Sequence, residues 1–338
     1  MDASNSSASA VKKPTGFRRL VKESLTQLAI LLATLAVTEA ALRVIDFRDL
    51  RDGYGRGYPL VFKHDPELGW APIPNSRGEF HGSRTISLAH NSLGLRDVEL
   101  GPDARPTILV IGDSLVWGYD AQASERFTEL LRQELPGTRI VNAGVPGYGT
   151  DQEYLLLRRI WDAVRPDVVI LVFCTDNDRD DNTSNLRYGG YLKPYLAQAP
   201  DGEWRFAGQP VPWSRFAYFN ENALVHNLWV ARAAVSAFVQ LRYPAVTVPD
   251  PTERLVGMMR GFVEAHAAKF LVGLQLREPQ IESFLQTQNI RYTWFDGAQS
   301  YDGLHWTPEG HAVVASRLLQ LLQSAEIADV PRDARRAK

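Results

Sequence analysis

The sequence predicts an α/β protein: a three-layer α/β/α sandwich with a roughly five-stranded parallel sheet of the flavodoxin-like type. Three observations predict this fold. From residue 107 onward, short apolar runs alternate with longer stretches of helical period, the pattern of a parallel sheet covered by helices. Hydrophobic residues make up 45% of the 338 residues, enough for one sizeable core. Polar residues directly follow several apolar runs, where parallel sheets gather their ligand-binding groups.

The alternation gives the predicted elements in chain order. Each predicted strand is a short apolar run, and each predicted helix carries apolar residues at helical spacing. The predicted strands are Ile108 to Ile111, Arg139 to Val141, Val168 to Phe173, Phe270 to Leu274 and Tyr292 to Phe295. The predicted helices are Arg126 to Leu135, Asp151 to Val164, Leu255 to Ala268, Pro279 to Gln288 and Pro308 to Gln323.

The N-terminus predicts a membrane segment. A basic, Ser-rich stretch at residues 1–24 precedes the largely apolar stretch at residues 25–46, which is long enough to span a bilayer. Glu39 is expected near its outer end, because a carboxylate is costly inside hydrocarbon. An uncleaved signal anchor with a cytoplasmic N-terminus is favoured over a cleaved secretion signal or an amphipathic soluble helix. The remainder of the chain then lies outside the cytoplasm.

The rest of the chain divides into a lead-in, one large domain and a tail. Residues 47–105 are rich in Gly, Pro and charge and predict a strand-poor lead-in that packs on the main domain at residues 106–325. An insertion at residues 181–251 contains a hairpin signal at Asp201-Gly202 and a helical stretch near Leu224 to Leu241. We expect this insertion to form a lid or one wall of the cleft. Residues 326–338 are a tail.

Composition and motifs exclude several classes of function. A net charge of -2 gives no electrostatic footprint for nucleic acid. The single Cys174 cannot form an intramolecular disulfide. The acidic run from Asp176 to Asn182 resembles a calcium loop, but Asp181 replaces the sixth-position Gly and Arg187 the twelfth-position Glu. No phosphate loop or dinucleotide fingerprint occurs. The sequence predicts no cofactor and no metal.

Polar residues after the predicted strands suggest nucleophilic chemistry. Ser114 follows the first strand, Asn142-Ala143-Gly144 and Asn177-Asp178 follow the next two, and Asp302 and His305 stand three apart near the C-terminus. A serine nucleophile needs a base, a group that orients the base, and donors for an oxyanion. The structural alternative is that Asp113 and Ser114 are helix caps and that Asn142 and Gly144 are turn formers.

Taken in order, these blocks resemble the SGNH hydrolases, also called GDSL esterases and lipases, over about two thirds of the chain from Thr107 to roughly Leu322. One departure is Thr175, where the family usually has Gly. The matching blocks are Gly112-Asp113-Ser114-Leu115, Asn142-Ala143-Gly144, Thr175-Asp176-Asn177-Asp178, and Asp302-Gly303-Leu304-His305 with Pro308 and Gly310 following.

The resemblance implies a role for each site residue. His305 takes the Ser114 proton while Asp302 orients the imidazole. The backbone N–H groups of Ser114 and Gly144, with the Asn177 amide, receive the oxyanion. The aromatic side chains beside these residues are either a substrate-binding wall or part of the core. The candidate substrate-binding residues are Trp117, Tyr148 and Trp306.

The resemblance also implies a function and a location. Membrane-tethered SGNH domains that face outward look like bacterial inner-membrane proteins that add or remove O-acetyl groups on cell-envelope or secreted polysaccharides. The leading hypothesis is a serine esterase with an acyl-enzyme on Ser114, acting on a short-chain ester of an extracytoplasmic glycan. The alternatives are an O-acyltransferase with the same residues and a noncatalytic carbohydrate-binding scaffold. The expected partners are the acylated substrate and the membrane.

Overall fold

The computed structural model describes residues 15–51, 62–101 and 106–327. The segment at residues 1–14, most of residues 47–61 and the tail beyond residue 327 lie outside the described residues. The first element is α1, a 31-residue helix at Thr15–Ile45. Its part from Gly16 to Ile45 is long and apolar enough to cross a membrane, and its most apolar window is not buried against the rest of the protein. A helix of this kind serves as a membrane anchor or as a signal sequence.

The strands of the described residues are short in the lead-in and insertion and longer in the central sheet. Five of them match the five predicted strands to within three residues at each end. In chain order they are β1 Phe62–Asp65, β2 Gly69–Pro72, β3 Arg77–His81, β4 Thr85–Ala89, β5 Thr107–Gly112, β6 Arg139–Gly144, β7 Val168–Phe173, β8 Leu186–Arg187, β9 Tyr191–Leu192, β10 Tyr195–Gln198, β11 Trp204–Ala207, β12 Lys269–Leu274 and β13 Tyr292–Trp294.

The helices after α1 include the five that the alternation predicts, α3, α4, α9, α10 and α11. The others are a single turn after β5, the short helix α5 after β7, and the helices α6, α7 and α8 of the insertion. In chain order they are α2 Ser114–Trp117, α3 Phe127–Glu134, α4 Thr150–Val164, α5 Asp178–Asn182, α6 Arg215–Glu221, α7 Ala223–Asn227, α8 Trp229–Arg242, α9 Thr252–Ala265, α10 Pro279–Thr287 and α11 Pro308–Ser324.

The central sheet is parallel and five-stranded, in the order β6-β5-β7-β12-β13. This order confirms the predicted fold class, because it is the flavodoxin-like arrangement in which the chain moves outward from β5 in both directions. The point where the strand order reverses lies between β5 and β7, and ligands of such sheets bind beyond the carboxyl ends of the strands there. The turns after β5 and β7 carry Ser114 and Asn177.

Alternate residues of a strand point to opposite faces of the sheet. Both faces are apolar here, and each is covered by helices. Leu109 and Ile111 of β5 belong to an apolar cluster with α4, α9 and α10. Ile108 and Val110 of the same strand belong to a second cluster with α3 and α11. Both sides of β5 and β7 are buried, so these strands read as continuous apolar runs in the sequence.

The lead-in contains more strand than the sequence predicts. Two antiparallel hairpins, β1–β2 and β3–β4, occupy it. Seven of its apolar side chains, including Trp70 and Phe80, are buried in the cluster that also contains Trp117 and Tyr148. The prediction of a strand-poor segment was wrong because these strands do not all form apolar runs: in β3, only Phe80 is buried.

The insertion forms small apolar clusters of its own beside the sheet. The predicted hairpin is β10–β11, with Gly202 in the turn at φ +85. The predicted long helix is two helices, α7 and α8, because the chain leaves helical geometry at Leu228 (φ -121, ψ 117). Asn222 caps α7 by accepting the N–H groups of Leu224 and Val225.

Candidate active site

Ser114 lies at the first turn of helix after the central strand β5. The side chain of Asp113 caps this turn by accepting the N–H of Leu115 at 2.9 Å, which fixes the sharp change of direction after Gly112. Ser114 retains 6% of its accessible surface. The hydroxyl is therefore held at the carboxyl edge of the sheet and is nearly enclosed.

The structure brings Ser114 together with His305 and Asp302. The Ser114 Oγ lies 3.1 Å from His305 Nε2, and His305 Nδ1 lies 2.7 Å from Asp302 Oδ2. We assign the Nδ1 proton to the hydrogen bond with the carboxylate, which leaves the Nε2 lone pair to accept the hydroxyl proton of Ser114. These distances match the nucleophile, base and orienting group of a serine hydrolase.

A tight turn holds Asp302 and His305 at their spacing of three residues. Asp302 Oδ1 accepts the backbone N–H groups of Leu304 at 3.0 Å and His305 at 2.7 Å, and Gly303 takes φ +88. The turn rests on the start of α11, where Gly310 allows close contact: a Cβ there would lie 2.1 Å from the carbonyl oxygen of Gln299. The His305 side chain is thus positioned by local hydrogen bonds.

The surroundings of His305 stabilise its pairing with the carboxylate. Partial burial would raise the pKa of Asp302, but hydrogen bonds from the backbone and ring of His305 outweigh it and hold that pKa below its ordinary value. The ring of Tyr119 stacks on His305, with centroids 3.9 Å apart and planes at 17°. Burial and the charges of Asp120 and Asp302 raise the pKa of Tyr119 to about 12, so its phenol stays neutral.

The position of Gly144 requires a correction to its predicted role. Its N–H donates to the side-chain oxygen of Asn142 at 3.0 Å, and it pairs with Gly112 in the sheet. The Asn142 amide in turn donates to the carbonyl of Val116 at 2.6 Å and to the hydroxyl of Thr128 at 3.1 Å. Because this network engages the Gly144 N–H, that group is not free for an oxyanion in this structure.

Gly147 offers a backbone donor in the turn that follows β6. It follows β6 with φ +77, and the hydrogen bonds among the described residues leave its N–H without an acceptor. Since β5 and β6 are parallel neighbours, the turn after β6 lies at the same sheet edge as Ser114. The ring of Tyr188 lies over it, 2.8 Å from where a Cβ of Gly147 would be.

Asn177 lies at the switch point, after β7 and directly before α5. Burial raises the pKa of Asp113, and the nearby Asn177 side chain lowers it, so Asn177 couples the turns after β5 and β7. Its Nδ2 group supplies N–H donors for an acceptor beside Ser114. The preceding turn does not need the family's Gly: Thr175 is not among the described residues with positive φ, and its hydroxyl donates to Gln275 Oε1 at 3.3 Å.

A buried acidic cluster lies behind the nucleophile. Asp113, Glu153 and Asp178 are fully buried; burial raises the pKa of each, and repulsion between carboxylates adds to the effect at Glu153 and Asp178. Donor atoms of Asp113, Cys174 and Asp178 lie within 4.8 Å of one another, the spacing that a metal ion would require. However, Asp178 Oδ2 already accepts the N–H of Cys174 at 2.8 Å. This group therefore has a role in holding the turn.

The three predicted substrate-binding aromatics lie in the core. Trp117 and Tyr148 retain 0% of their accessible surface and Trp306 retains 3%. The Tyr148 hydroxyl donates to the carbonyl of Trp70 at 2.5 Å, and Trp306 packs edge-on against Phe295. Since no ring face is open to solvent, these side chains support the site from beneath. Of the two alternatives that the sequence left open for these aromatic residues, the structure supports packing in the core.

Other side chains, which sequence reasoning did not select, form the rim. Tyr301 precedes Asp302 and is 42% exposed, and its hydroxyl accepts from Arg84 of the lead-in at 3.2 Å. Tyr188 of the insertion is 43% exposed above the turn after β6. Phe80 of β3 packs against Tyr119 with centroids 4.6 Å apart. Only the position of Tyr301 next to Asp302 was a signal in the sequence.

Comparison with known proteins places this site in a family. Residues 110–313, more than half of the chain, match the model of the GDSL-like Lipase/Acylhydrolase family. Comparison with curated proteins gave no match. Similar solved structures include TesA, at 14% identity and a TM-score of 0.39 over 64% of this chain and 98% of that one. The esterase EstA from Pseudoalteromonas sp. shares 12% identity with a TM-score of 0.38, over 65% and 97% of the two chains.

A further solved structure is a two-domain esterase active on acetylated mannans, with 13% identity and a TM-score of 0.38 over 68% of this chain and 52% of that one. The family match covers the strand before Ser114, the turns after β6 and β7, and the Asp302–His305 turn. The chain belongs to the GDSL-like lipase/acylhydrolase family and is a hydrolase of ester bonds.

Proposed function

We propose that this protein is a membrane-anchored serine esterase that forms an acyl-enzyme on Ser114 and removes short acyl groups, such as O-acetyl, from an extracytoplasmic polysaccharide or related ester. The observation that carries the proposal is the hydrogen-bonded series from Ser114 Oγ through His305 to Asp302, with distances of 3.1 and 2.7 Å. Such a series activates a hydroxyl that is otherwise a weak nucleophile.

In the proposed first step, His305 Nε2 takes the hydroxyl proton as Ser114 Oγ attacks the ester carbonyl. The tetrahedral intermediate collapses, and the leaving alcohol takes the proton from His305. In the second step, water gives a proton to His305 and attacks the acyl-enzyme, and the proton returns to Ser114 Oγ as the acid leaves. Asp302 stays ionised throughout and stabilises the imidazolium that forms twice.

We propose three donors for the oxyanion: the Ser114 N–H, one N–H of the Asn177 amide and the Gly147 N–H. Gly147 replaces Gly144, whose N–H already donates to Asn142. All three donors lie in turns at the carboxyl edge of adjacent strands β6, β5 and β7. Donors fixed in this way require little reorganisation when negative charge develops.

The rim supports a carbohydrate ester as the substrate class. Tyr188, at Gly147 in the turn after β6, and Tyr301, next to Asp302, each expose more than two fifths of their surface. Tyrosine combines an apolar ring with a polar hydroxyl, which suits the mixed surface of a sugar. Arg84, which pairs with Glu125, also donates to the Tyr301 hydroxyl and so holds that side chain in place. If α1 anchors the chain, this rim faces the extracytoplasmic side, as expected for an enzyme of cell-envelope glycans.

The full chain in detergent micelles is the material for the test. It is incubated with p-nitrophenyl acetate, and nitrophenol release and intact mass are measured for wild type, Ser114→Ala and the exposed-serine control Ser124→Ala. We expect an acetyl adduct and turnover in wild type and Ser124→Ala, and a loss of at least about 10³-fold in Ser114→Ala. Equal turnover in all three chains would rule out Ser114 as the nucleophile.

The same assay separates hydrolysis from acyl transfer to a sugar. Acetylated oligosaccharide is supplied as donor, with and without an unacetylated acceptor, and both free acetate and acetylated acceptor are quantified. The proposed esterase releases acetate at a rate that the acceptor does not change. Faster consumption of donor with acetylated acceptor as product would identify an acyltransferase that uses the same residues.

A further inference from the structure

The helix α8 of the insertion has two opposite faces with different environments. One face is buried and includes Arg232, Ser236 and Val239, at 6%, 8% and 5% exposure. The guanidinium of Arg232 donates to the carbonyl of Leu50 at 2.8 Å, which fixes the rotation of the helix. The helix therefore presents a defined opposite face to its surroundings.

That opposite face is apolar and exposed. Phe238 is 55% exposed and Leu241 is 86% exposed, and Ala234 and Ala237 are exposed between them and the start of the helix. Positions 234, 237, 238 and 241 have the spacing of one helical stripe. Leu228, directly before the helix, is 41% exposed. A stripe of this kind on a water-soluble surface is unfavourable and indicates that something covers it.

The start of α8 is joined to the membrane helix α1. Glu39 Oε2 accepts the backbone N–H of Val230 at 2.8 Å, at the N-terminus of α8, where the helix dipole favours a carboxylate. Arg43 donates to the carbonyl of Asn227 at 2.6 Å, and the two side chains pair with each other at 2.6 Å. The end of α1 is thus hydrogen-bonded to the α7–α8 junction.

These contacts set the height of α8 relative to a bilayer. No charged residue lies between Glu23 and Glu39 of α1, so Glu39 and Arg43 mark the outer boundary of the apolar span. Charged groups at the end of a span lie at the interface between hydrocarbon and headgroups. Because both side chains bind the α7–α8 junction, α8 begins at that interface.

We propose that α8 is a membrane-surface helix whose face formed by Ala234, Ala237, Phe238 and Leu241 inserts into the headgroup region of the bilayer that α1 crosses. The inference rests on the proposed anchoring by α1. An apolar helix face of this type lies in the interface plane, and the occupant argued here is lipid because the stripe begins where the span of α1 ends. A second contact of the domain with the membrane then fixes its orientation as well as its distance.

The test uses the full chain reconstituted in phosphatidylcholine–phosphatidylglycerol vesicles. Single cysteines at Phe238→Cys and Leu241→Cys are labelled with an environment-sensitive fluorophore, and Asp201→Cys, at the exposed β10–β11 turn, is the matched control. Cys174 is buried, and the chain without added cysteine gives the background labelling. We expect blue-shifted emission at 238 and 241, strong quenching by brominated lipid and weak quenching by iodide, with the reverse at 201.

Three results would overturn the proposal, and they are distinguishable. Iodide quenching at 238 and 241 equal to that at 201, in a chain that alkaline carbonate leaves in the membrane pellet, would show that α8 faces water although α1 is anchored. Oxidative cross-linking of Leu241→Cys between two chains would show that a second copy covers the stripe. Release of the chain into the carbonate supernatant would show that α1 is not a membrane anchor, and the proposal for α8 would then be wrong as well. The proposed esterase activity is tested separately, by the assay of the micellar protein.

Discussion

Asp302 serves both the geometry of the site and its electrostatics. One carboxylate oxygen accepts two backbone N–H groups of its own turn, and the other accepts the ring N–H of His305. The first set of bonds fixes the turn, and the last favours the tautomer that leaves Nε2 free for its proposed role as the base. A substitution that preserves the turn while changing the tautomer separates these contributions.

Asp302→Asn is that substitution. The amide oxygen can still accept the backbone N–H groups, but the Asn NH₂ group favours the imidazole tautomer with its lone pair on Nδ1. We expect turnover of p-nitrophenyl acetate to fall by about 10⁴-fold with an unchanged unfolding temperature. Asp201→Asn, on the exposed hairpin, is the control. A loss below tenfold would contradict the proposed role of Asp302.

Asn177→Ala tests the side-chain donor to the oxyanion. Removing one such donor typically lowers kcat by about 10²- to 10³-fold, and the loss should appear in kcat with little change in KM. Because the Asn177 side chain also influences the buried Asp113, the unfolding temperature is measured in parallel. A loss of activity that follows a loss of folded protein would assign Asn177 a purely structural role.

Single residues were predictable where the chemistry is local. The Asp302–His305 spacing and the position of Ser114 after a strand are visible in the sequence, and the structure brings these groups to hydrogen-bonding distance. Gly144 was less predictable because the return of the Asn142 side chain onto its N–H depends on tertiary contacts. The burial of Trp117 depends on Phe80, which comes from a hairpin 37 residues earlier in the chain.

At the scale of elements, a buried ion pair fastens the insertion to the sheet domain. Lys193, between β9 and β10, donates to Asp151 in the first turn of α4, and both side chains are 0% exposed. The ammonium also donates to the carbonyls of Ser184 and Pro194, each at 3.1 Å. A buried charge with this many partners is costly to leave unpaired.

Lys193→Met should therefore destabilise the protein by about 3–5 kcal/mol, because Asp151 would remain buried without its cation. The free energy of unfolding is measured with denaturant, and Lys63→Met, at an exposed lysine, is the control. The double variant Lys193→Met/Asp151→Leu should recover much of the loss. A single variant as stable as the control would show that water or a local rearrangement compensates the carboxylate.

Elements were predictable in proportion to their length and periodicity. The helix at Asp151 to Val164 was predicted to within one residue of α4, because its apolar positions repeat with helical spacing. The helix near Leu224 to Leu241 was predicted as one piece, whereas the chain turns at Leu228 between α7 and α8. The break depends on tertiary contacts, since Arg43 of α1 donates to the carbonyl of Asn227 and Arg232 of α8 donates to the carbonyl of Leu50.

At the scale of the whole molecule, the sheet order explains how distant residues meet. The parallel order β6-β5-β7-β12-β13 puts the carboxyl ends of all five strands at one edge. Alternating apolar and amphipathic runs predict such a sheet. The family resemblance identified the motifs that follow its strands and contain the candidate site residues. The relation of the lead-in and insertion to that edge was not predictable, because it depends on contacts between segments of irregular sequence.

Stability of the whole domain should depend on pH through a buried histidine. Burial, together with the charges of Arg126 and Arg96, lowers the pKa of His311 to about 3. The unfolded chain takes up this proton near pH 6.5, so the free energy of unfolding falls as pH falls from 6.5 towards 3. Between pH 7.5 and 5.0 the expected contribution is about 2 kcal/mol.

His311→Gln removes that proton uptake. The difference in unfolding free energy between pH 7.5 and 5.0 should then be smaller than in wild type by about 2 kcal/mol. The packing defect of the variant lowers the unfolding free energy at both pH values, so it drops out of the difference between them. His81→Gln, in an exposed hairpin, should retain the wild-type change, and an equal change in all three chains would contradict the role of His311.

The separation of nucleophile and base along the chain has a consequence for biosynthesis. His305 follows Ser114 by 191 residues, and α1 precedes both. During synthesis α1 leaves the ribosome before Ser114, and His305 leaves after both, so a nascent chain that ends before residue 302 has the proposed nucleophile without its proposed base. If the proposed roles hold, hydrolytic activity begins only after residue 305 has been made, by which time α1 has already been exposed to the membrane insertion machinery.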